Sequence, residues 1–207
     1  MTAVKQISLR RATVDDAAAI AAVRIESWRA TYRGMIPDAY LDGMKLEDST
    51  AIWTRILGAE SNAICVFVAE SEGEIIGFAS SMMLKEEKLG MNAELTALYL
   101  RPAWQRSGIG RRMLQKVARV CQAQGASGLL VWVIAGNQSA RRFYEQLGAT
   151  LLAEQPFNWD GMDLVEAGYG WRDLSTLAVL TGALVETTAD TMVDALMDAL
   201  PAAPGVH

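Results

Sequence analysis

Residues 94–110 constrain this chain more than any other stretch. Glu94-Leu95-Thr96-Ala97-Leu98-Tyr99-Leu100 reads as a strand, Pro102 stops it, and Gln105-Arg106-Ser107-Gly108-Ile109-Gly110 then runs into a basic helix. Two glycines two apart allow a tight backbone turn in which successive N–H groups point one way. The positive end of a helix follows at once. Turn and helix together make a cradle for phosphate or pyrophosphate that depends on no single side chain. No Lys-Ser or Lys-Thr pair follows the glycines, which argues against a P-loop nucleoside triphosphatase, and the three-glycine dinucleotide fingerprint is absent.

Charge is concentrated in the same place. The chain has a net charge of -5, yet residues 101–142 carry Arg101, Arg106, Arg111, Arg112, Lys116, Arg119, Arg141 and Arg142 and no acid. The other 165 residues hold 11 basic against 24 acidic side chains. A positive segment on an acidic protein points to a compact anionic ligand. A nucleic-acid face would need a broader basic surface, and an isoelectric point near 5.0 disfavours one.

At 207 residues, 51% of them hydrophobic and 21% charged, the chain can bury one full core and is neither disordered nor fibrous. Residues 1–13 show no secretory pattern, and no apolar run approaches the length of a membrane span, so a cytoplasmic protein is expected. Cys65 and Cys121 are too few for a disulfide scaffold and read as buried thiols. A single His removes most zinc-enzyme designs, and no metal is expected.

Strands and helices alternate along the chain. Residues 5–11 form a weakly alternating first strand, Asp15 or Asp16 opens a helix ending near Arg29, and Pro37 starts a short helix up to Gly43. A third helical segment covers 47–58. From Ala63 the period becomes that of strands, with 63–70 and 74–83 paired as a hairpin through Ser71-Glu72-Gly73. Lys85-Glu86-Glu87-Lys88, flanked by Met82, Met83 and Met91, reads as a mobile lip. A long helix over 108–124 buries Ile109, Met113, Leu114, Val117 and Cys121, and 129–134 is a central strand. Ser139 caps a helix that Gly148 ends, and strands at 149–154 and 162–171 are joined by a turn around Asn158-Trp159-Asp160-Gly161. The expected architecture is α+β: a mixed sheet with helices on its faces. Residues 1–173 make one domain. Residues 174–207 are an extension, helical over 174–200 through Leu177, Leu180, Leu184, Met192 and Leu196, which packs on the core or meets a second copy.

The run 94–110, Leu130-Val131-Trp132-Val133-Ile134, and Asn137-Gln138-Ser139-Ala140-Arg141-Arg142-Phe143-Tyr144-Glu145-Gln146-Leu147-Gly148-Ala149 together resemble the GCN5-related N-acetyltransferase (GNAT) superfamily. Its Gln-x-x-Gly-x-Gly and Asn-x-x-Ala-x-x-Phe-Tyr-x-x-x-Gly elements occur in the family's order and separation, and the likeness covers about residues 5–172. The resemblance implies a central, mostly antiparallel seven-stranded sheet and acetyl transfer from acetyl-CoA to a primary amine by direct attack in a ternary complex. It further implies that the backbone of Gln105, Arg106, Ser107, Gly108, Ile109 and Gly110 holds the CoA pyrophosphate, with help from the side chains of Arg106, Arg111 and Arg112. The strand at Leu98, Tyr99 and Leu100 splays from its neighbour to take the pantetheine arm and thioester, and Asn137 binds the pantetheine region.

The chemistry asks for a base and an acid. An amine like that of lysine is mostly protonated at neutral pH and must lose a proton, and the departing sulfur leaves better when it gains one. Tyr144 matches the family's general acid; Phe143 beside it points elsewhere on the helix, so one ring can pack while the other faces the cofactor. Glu94 is favoured as base because it matches the catalytic glutamate of the histone-modifying members. By period two it also shares a face with Leu100. Glu26, Asp38 and a water path are the alternatives. Trp28 and Tyr32, one helical turn apart, with Tyr40, Trp159, Tyr169 and Trp171, are candidates to clamp the acceptor. Two other functions are weighed: a non-catalytic acyl-CoA-binding regulator, which could dispense with Tyr144, and a nucleic-acid-binding module. The acceptor class stays open, no membrane partner is expected, and the resemblance tilts the chain slightly toward a homodimer.

Overall fold

In a computed structural model of the chain, residues 6–59 and 63–178 are described, and every strand among them joins one seven-stranded sheet. Four consecutive strands, β1 (Ile7–Arg11), β2 (Ile64–Ser71), β3 (Glu74–Lys88) and β4 (Met91–Leu100), pair antiparallel in chain order. β5 (Leu129–Ile134) lies parallel to β4. β6 (Thr150–Trp159) and β7 (Met162–Trp171) form a hairpin whose second strand pairs antiparallel with β5, so the order across the sheet is β1-β2-β3-β4-β5-β7-β6.

The helices follow from where apolar residues recur. α1 (Ala17–Thr31) and α3 (Leu46–Leu57) cover one face, with Ile20, Val23 and Trp53 packed on Val66, Val68 and Phe78. α2 (Asp38–Gly43), entered through Pro37, sits beside α1. α4 (Ile109–Ala123) covers the other face and buries Ile109, Met113, Leu114, Val117 and Cys121, as the helical spacing requires. Each such side chain taken out of water contributes about 1.5–3 kcal/mol before conformational entropy is charged against it. α5 (Gln138–Gln146) follows β5, and α6 (Ser175–Ala178) ends the described chain with Leu174 and Leu177 buried in the α4 core. The remainder of the helix expected to residue 200 lies outside the described residues.

Several boundaries differ from the sequence reading, each for a local reason. The Lys85-Glu86-Glu87-Lys88 segment is no loop: β3 runs on to Lys88 and turns through Leu89 and Gly90 into β4, and Met91 is fully buried. Its charged residues are solvated, and the ladder is irregular there: Met83 pairs with Ala93 and Lys88 with Met91, so Leu84 to Glu87 fall outside the register and alternation is lost although the strand continues. Asn137, not Ser139, caps α5, its Oδ1 accepting the Ala140 N–H at 3.1 Å. α1 is preceded by a tight turn, Val14–Asp16, where Asp16 accepts the Thr13 N–H and two bonds from the Arg10 guanidinium, all at 2.8 Å. That guanidinium holds the Asp16 carboxyl below the usual carboxylate range. β6 is longer than expected and continues to Trp159 at the hairpin tip. Both cysteines are free and buried, and burial pushes each thiol up.

Candidate active site

The site begins where β4 parts from β5. Their pairing covers only Ala93, Glu94 and Leu95 against Leu129, Leu130 and Val131. β5 keeps its other edge on β7 as far as Ile134, while residues 96–100 stay on β3, so a wedge opens between the two parallel strands. A bulge at Thr96 marks the parting point: Ser81 faces Leu95, Ser80 faces Ala97, and the Thr96 hydroxyl donates to the Ser80 carbonyl at 3.1 Å. Because the Arg101 N–H bonds the Ile76 carbonyl, alternation aims the peptide groups of Tyr99 at β3 and those of Leu98 and Leu100 into the wedge. The Leu100 carbonyl is already taken by the Ser27 hydroxyl at 3.0 Å and the Gln105 side chain at 3.3 Å. Ser27, buried in mid-helix, was missed by sequence reasoning; a lone small polar residue on the apolar side of α1 was its only signal.

The same bulge overturns one expectation. An extra residue in the strand reverses the alternation, so Glu94 does not share a face with Leu100. Leu95, Leu98 and Leu100 pack toward α4, whereas Glu94 falls on the α1 side with Ala97 and Tyr99. Its carboxylate stands 3.4 Å from Lys88 Nζ, and it lies opposite Met82, four β3 residues from the Phe78–Tyr99 pair. That is about 13 Å along the sheet. Glu26 and Asp38 are engaged in ion pairs, with Arg101 at 2.7 Å and Arg33 at 3.1 Å.

The turn at the mouth of the wedge is open. Gly108 adopts φ +85° and Arg106 φ +59°, which reverse the chain between the short turn Pro102–Trp104 and α4. Among the described residues, Gln105 N–H bonds Pro102 and Arg112 N–H bonds Gly108, but the N–H groups of Arg106, Ser107, Gly108, Ile109 and Gly110 have no acceptor. Gly110 is buried under the Phe143 ring, which brings α5 against the start of α4.

Three phenols meet at the wedge. Tyr32, which follows α1, lies with its hydroxyl 3.5 Å from that of Tyr99, and the Asn137 side chain is near enough to the Tyr32 hydroxyl to favour its ionised form slightly. Tyr144 on α5 is close enough to act electrostatically on both, and its ring packs edge-on against Phe143 and Trp171. Burial, with Tyr99 adding to it, raises both the Tyr32 and the Tyr144 phenols well above the ordinary tyrosine range. Tyr144 is therefore a phenol that stays neutral at ordinary pH.

Four sequence-predicted acceptor residues come together on the α1 side. The Trp28 ring has Tyr32 at 5.0 Å, Trp159 at 5.9 Å, Tyr40 at 6.4 Å and Tyr99 at 6.5 Å between centroids, and Trp159 Nε1 donates to the Tyr40 hydroxyl at 3.2 Å. Tyr169 and Trp171 do not join them. Both are buried on the α4 side, where Tyr169 bonds Arg141 and Glu145 and Trp171 Nε1 bonds the Leu147 carbonyl.

A mostly antiparallel sheet that opens between its two parallel strands, with an unpaired amide turn at the opening, defines the N-acyltransferase class of α+β fold. The chain belongs to the acetyltransferase (GNAT) family, whose model matches residues 24–149. It is 38% identical over 176 residues, 84% of this chain and 98% of the other, to a Bacillus subtilis protein named uncharacterized N-acetyltransferase YuaI. It is 25% identical over 145 residues, 69% of this chain and 87% of the other, to a Thermoplasma acidophilum spermidine N(1)-acetyltransferase. The fold matches the crystal structure of the PaiA N-acetyltransferase of Thermoplasma acidophilum in complex with coenzyme A, with a TM-score of 0.62 at 23% identity over 78% of this chain and 98% of that one. Among the described residues no helix is long and apolar enough to cross a membrane.

Proposed function

We propose that this protein transfers an acetyl group from acetyl-CoA to a primary amine. The observation that carries the reading is the run of five acceptorless N–H groups, Arg106 to Gly110, at the mouth of the β4–β5 wedge. Five donors at a helix start suit a diphosphate; Gly108 allows the left-handed turn that presents them, and Gly110 lets Phe143 pack against the helix start. Arg106, exposed beside these amides, and Arg111 and Arg112 on the first turn of α4 add positive charge. The peptide groups of Leu98 turn into the wedge, where they would hold the amide-bearing arm, with Asn137 across from them. When bound, acetyl-CoA supplies the activated acetyl group.

Tyr144 then serves as the acid, its neutral phenol giving a proton to the departing sulfur. Glu94 is the base in this reading. A donor–acceptor distance of about 3 Å is needed for direct transfer, and Glu94 is several residues of strand from the phenols, so it takes the amine's proton through intervening water. Trp28, Tyr32, Tyr40 and Trp159 line the acceptor side, opposite the face that α4 covers.

Isothermal titration with acetyl-CoA, CoA and duplex DNA tests the first step: heat with the coenzymes and none with DNA supports the reading. A panel of amines scored by thiol release tests the second. Coenzyme binding with no thiol release for any amine would leave a regulator rather than an enzyme, and no coenzyme binding would remove the proposal.

A further inference from the structure

Among the buried side-chain nitrogens and oxygens of the described residues, two find no hydrogen-bond partner, and one of them is Trp28 Nε1. The ring is 7% exposed and lies at the centre of the aromatic cluster, so the free N–H sits inside the acceptor side of the site and not at a frayed edge. A buried donor without an acceptor is costly to keep, and such a group in an otherwise well-packed cluster is best explained by a partner that arrives from outside. The Arg24 guanidinium, one turn earlier on α1, stacks over the same ring at 4.4 Å and pairs with no carboxylate among the described residues. An unpartnered buried donor and a guanidinium thus meet at Trp28, and neither suits a ligand that offers only protonated amines.

Of the four rings around Trp28, Trp159 is the exposed one, at 39%, and it is held over the cluster by its bond to Tyr40 at the β6–β7 tip. The Tyr99 ring, 6.5 Å from Trp28 between centroids, carries its hydroxyl to within 3.5 Å of the Tyr32 hydroxyl at the wedge, so Trp28 and the wedge share this neighbour. A molecule reaching both would place an amine at the wedge and an oxygen at Trp28.

Resting on the transferase reading, we propose that the acceptor carries a carbonyl or carboxylate oxygen near its amine and that Trp28 Nε1 donates to this oxygen. Amino acids and amino-acid amides have this chemistry, and linear diamines and polyamines lack it. Trp28 is a specificity residue, and Arg24 favours a carboxylate over a neutral carbonyl.

The experiment compares an amino acid, its amide and a linear diamine by thiol release, in the unaltered protein and in Trp28→Phe, which keeps an aromatic ring and removes the N–H. The unaltered protein prefers the oxygen-bearing amines, and Trp28→Phe lowers their kcat/KM by about tenfold, mainly through KM, while the diamine loses severalfold less and the affinity for acetyl-CoA stays level. A preference for the diamine in the unaltered protein overturns the inference whether or not the variant folds. So does an equal loss for all three amines, which would mark Trp28 as packing. Absence of thiol release from any amine sinks the transferase reading itself and this inference with it.

Discussion

Tyr32 and Tyr144 are phenols withdrawn from water, and this fixes how they titrate. Burial raises both, so both stay neutral in the folded protein at pH values where the unfolded chain has begun to ionise, near 10. Their contribution to stability is whole below that pH and drains away as the pH rises above it. Urea midpoints should hold between pH 7 and 9 as far as these groups are concerned and fall beyond about pH 10, and the Tyr32→Phe, Tyr144→Phe double variant should flatten that fall. In the rate, Tyr144→Phe should lower kcat by about a hundredfold with little change in the KM for acetyl-CoA. Glu94→Gln should lower the rate at saturating amine by about tenfold and weaken the acidic side of the pH profile; unaltered kinetics would remove Glu94 from the mechanism. At this scale the sequence singled out Trp28, Tyr32, Tyr40 and Trp159 as one aromatic group, and the structure brings these four together. The sequence could not show that the Trp28 N–H is unpaired, or that Tyr169 and Trp171 turn to the other face, since both depend on strands far away in the chain.

The element that positions the site is β4, and one extra residue in it decides which side chains look which way. The period-two argument placed Glu94 with Leu100 because a bulge leaves no mark in a run such as Glu94-Leu95-Thr96-Ala97, where small and apolar residues suit either face. The same strand depends on a close approach to β3. A Cβ on Gly77 would lie 2.3 Å from Leu100 Cδ2 and 2.9 Å from the Tyr99 carbonyl oxygen, so β4 must move to admit it. Gly77→Ala should cost about 1–3 kcal/mol in urea unfolding and weaken acetyl-CoA binding in calorimetry, since the peptide groups of Leu98 move with the strand. Element types and most centres were legible from periodicity; 129–134 matches β5 residue for residue. Ends were less so where chemistry and not pattern sets them. Asn137 and Ser139 are both good caps, and only the bond to Ala140 decides between them.

For the whole molecule, the wedge joins residues from α1, β4 and α5, so a ligand that fills it should hold the fold together. Acetyl-CoA at about a hundred times its dissociation constant should add about 2.7 kcal/mol, a rise of roughly 5–10 °C in Tm for a domain of this size. Thermal melts with and without the coenzyme check this, and an unmoved Tm would deny binding to the native state. Strand order was the least legible property at this scale. β6 and β7 are of equal length, and the one signal in residues 150–171 for their order is Pro156, which cannot donate to a second ladder and so suits β6 to the edge.

That inner place has a consequence for how the protein is made. Until Met162–Trp171 has left the ribosome, β5 is paired to the growing sheet through three residues of β4, and its apolar row Leu129-Leu130-Val131 has one bare edge. A nascent chain stalled before that point cannot finish its sheet by degrees. It must wait with a sticky seam open, and the seam closes only when the final strand slides between two that were made before it.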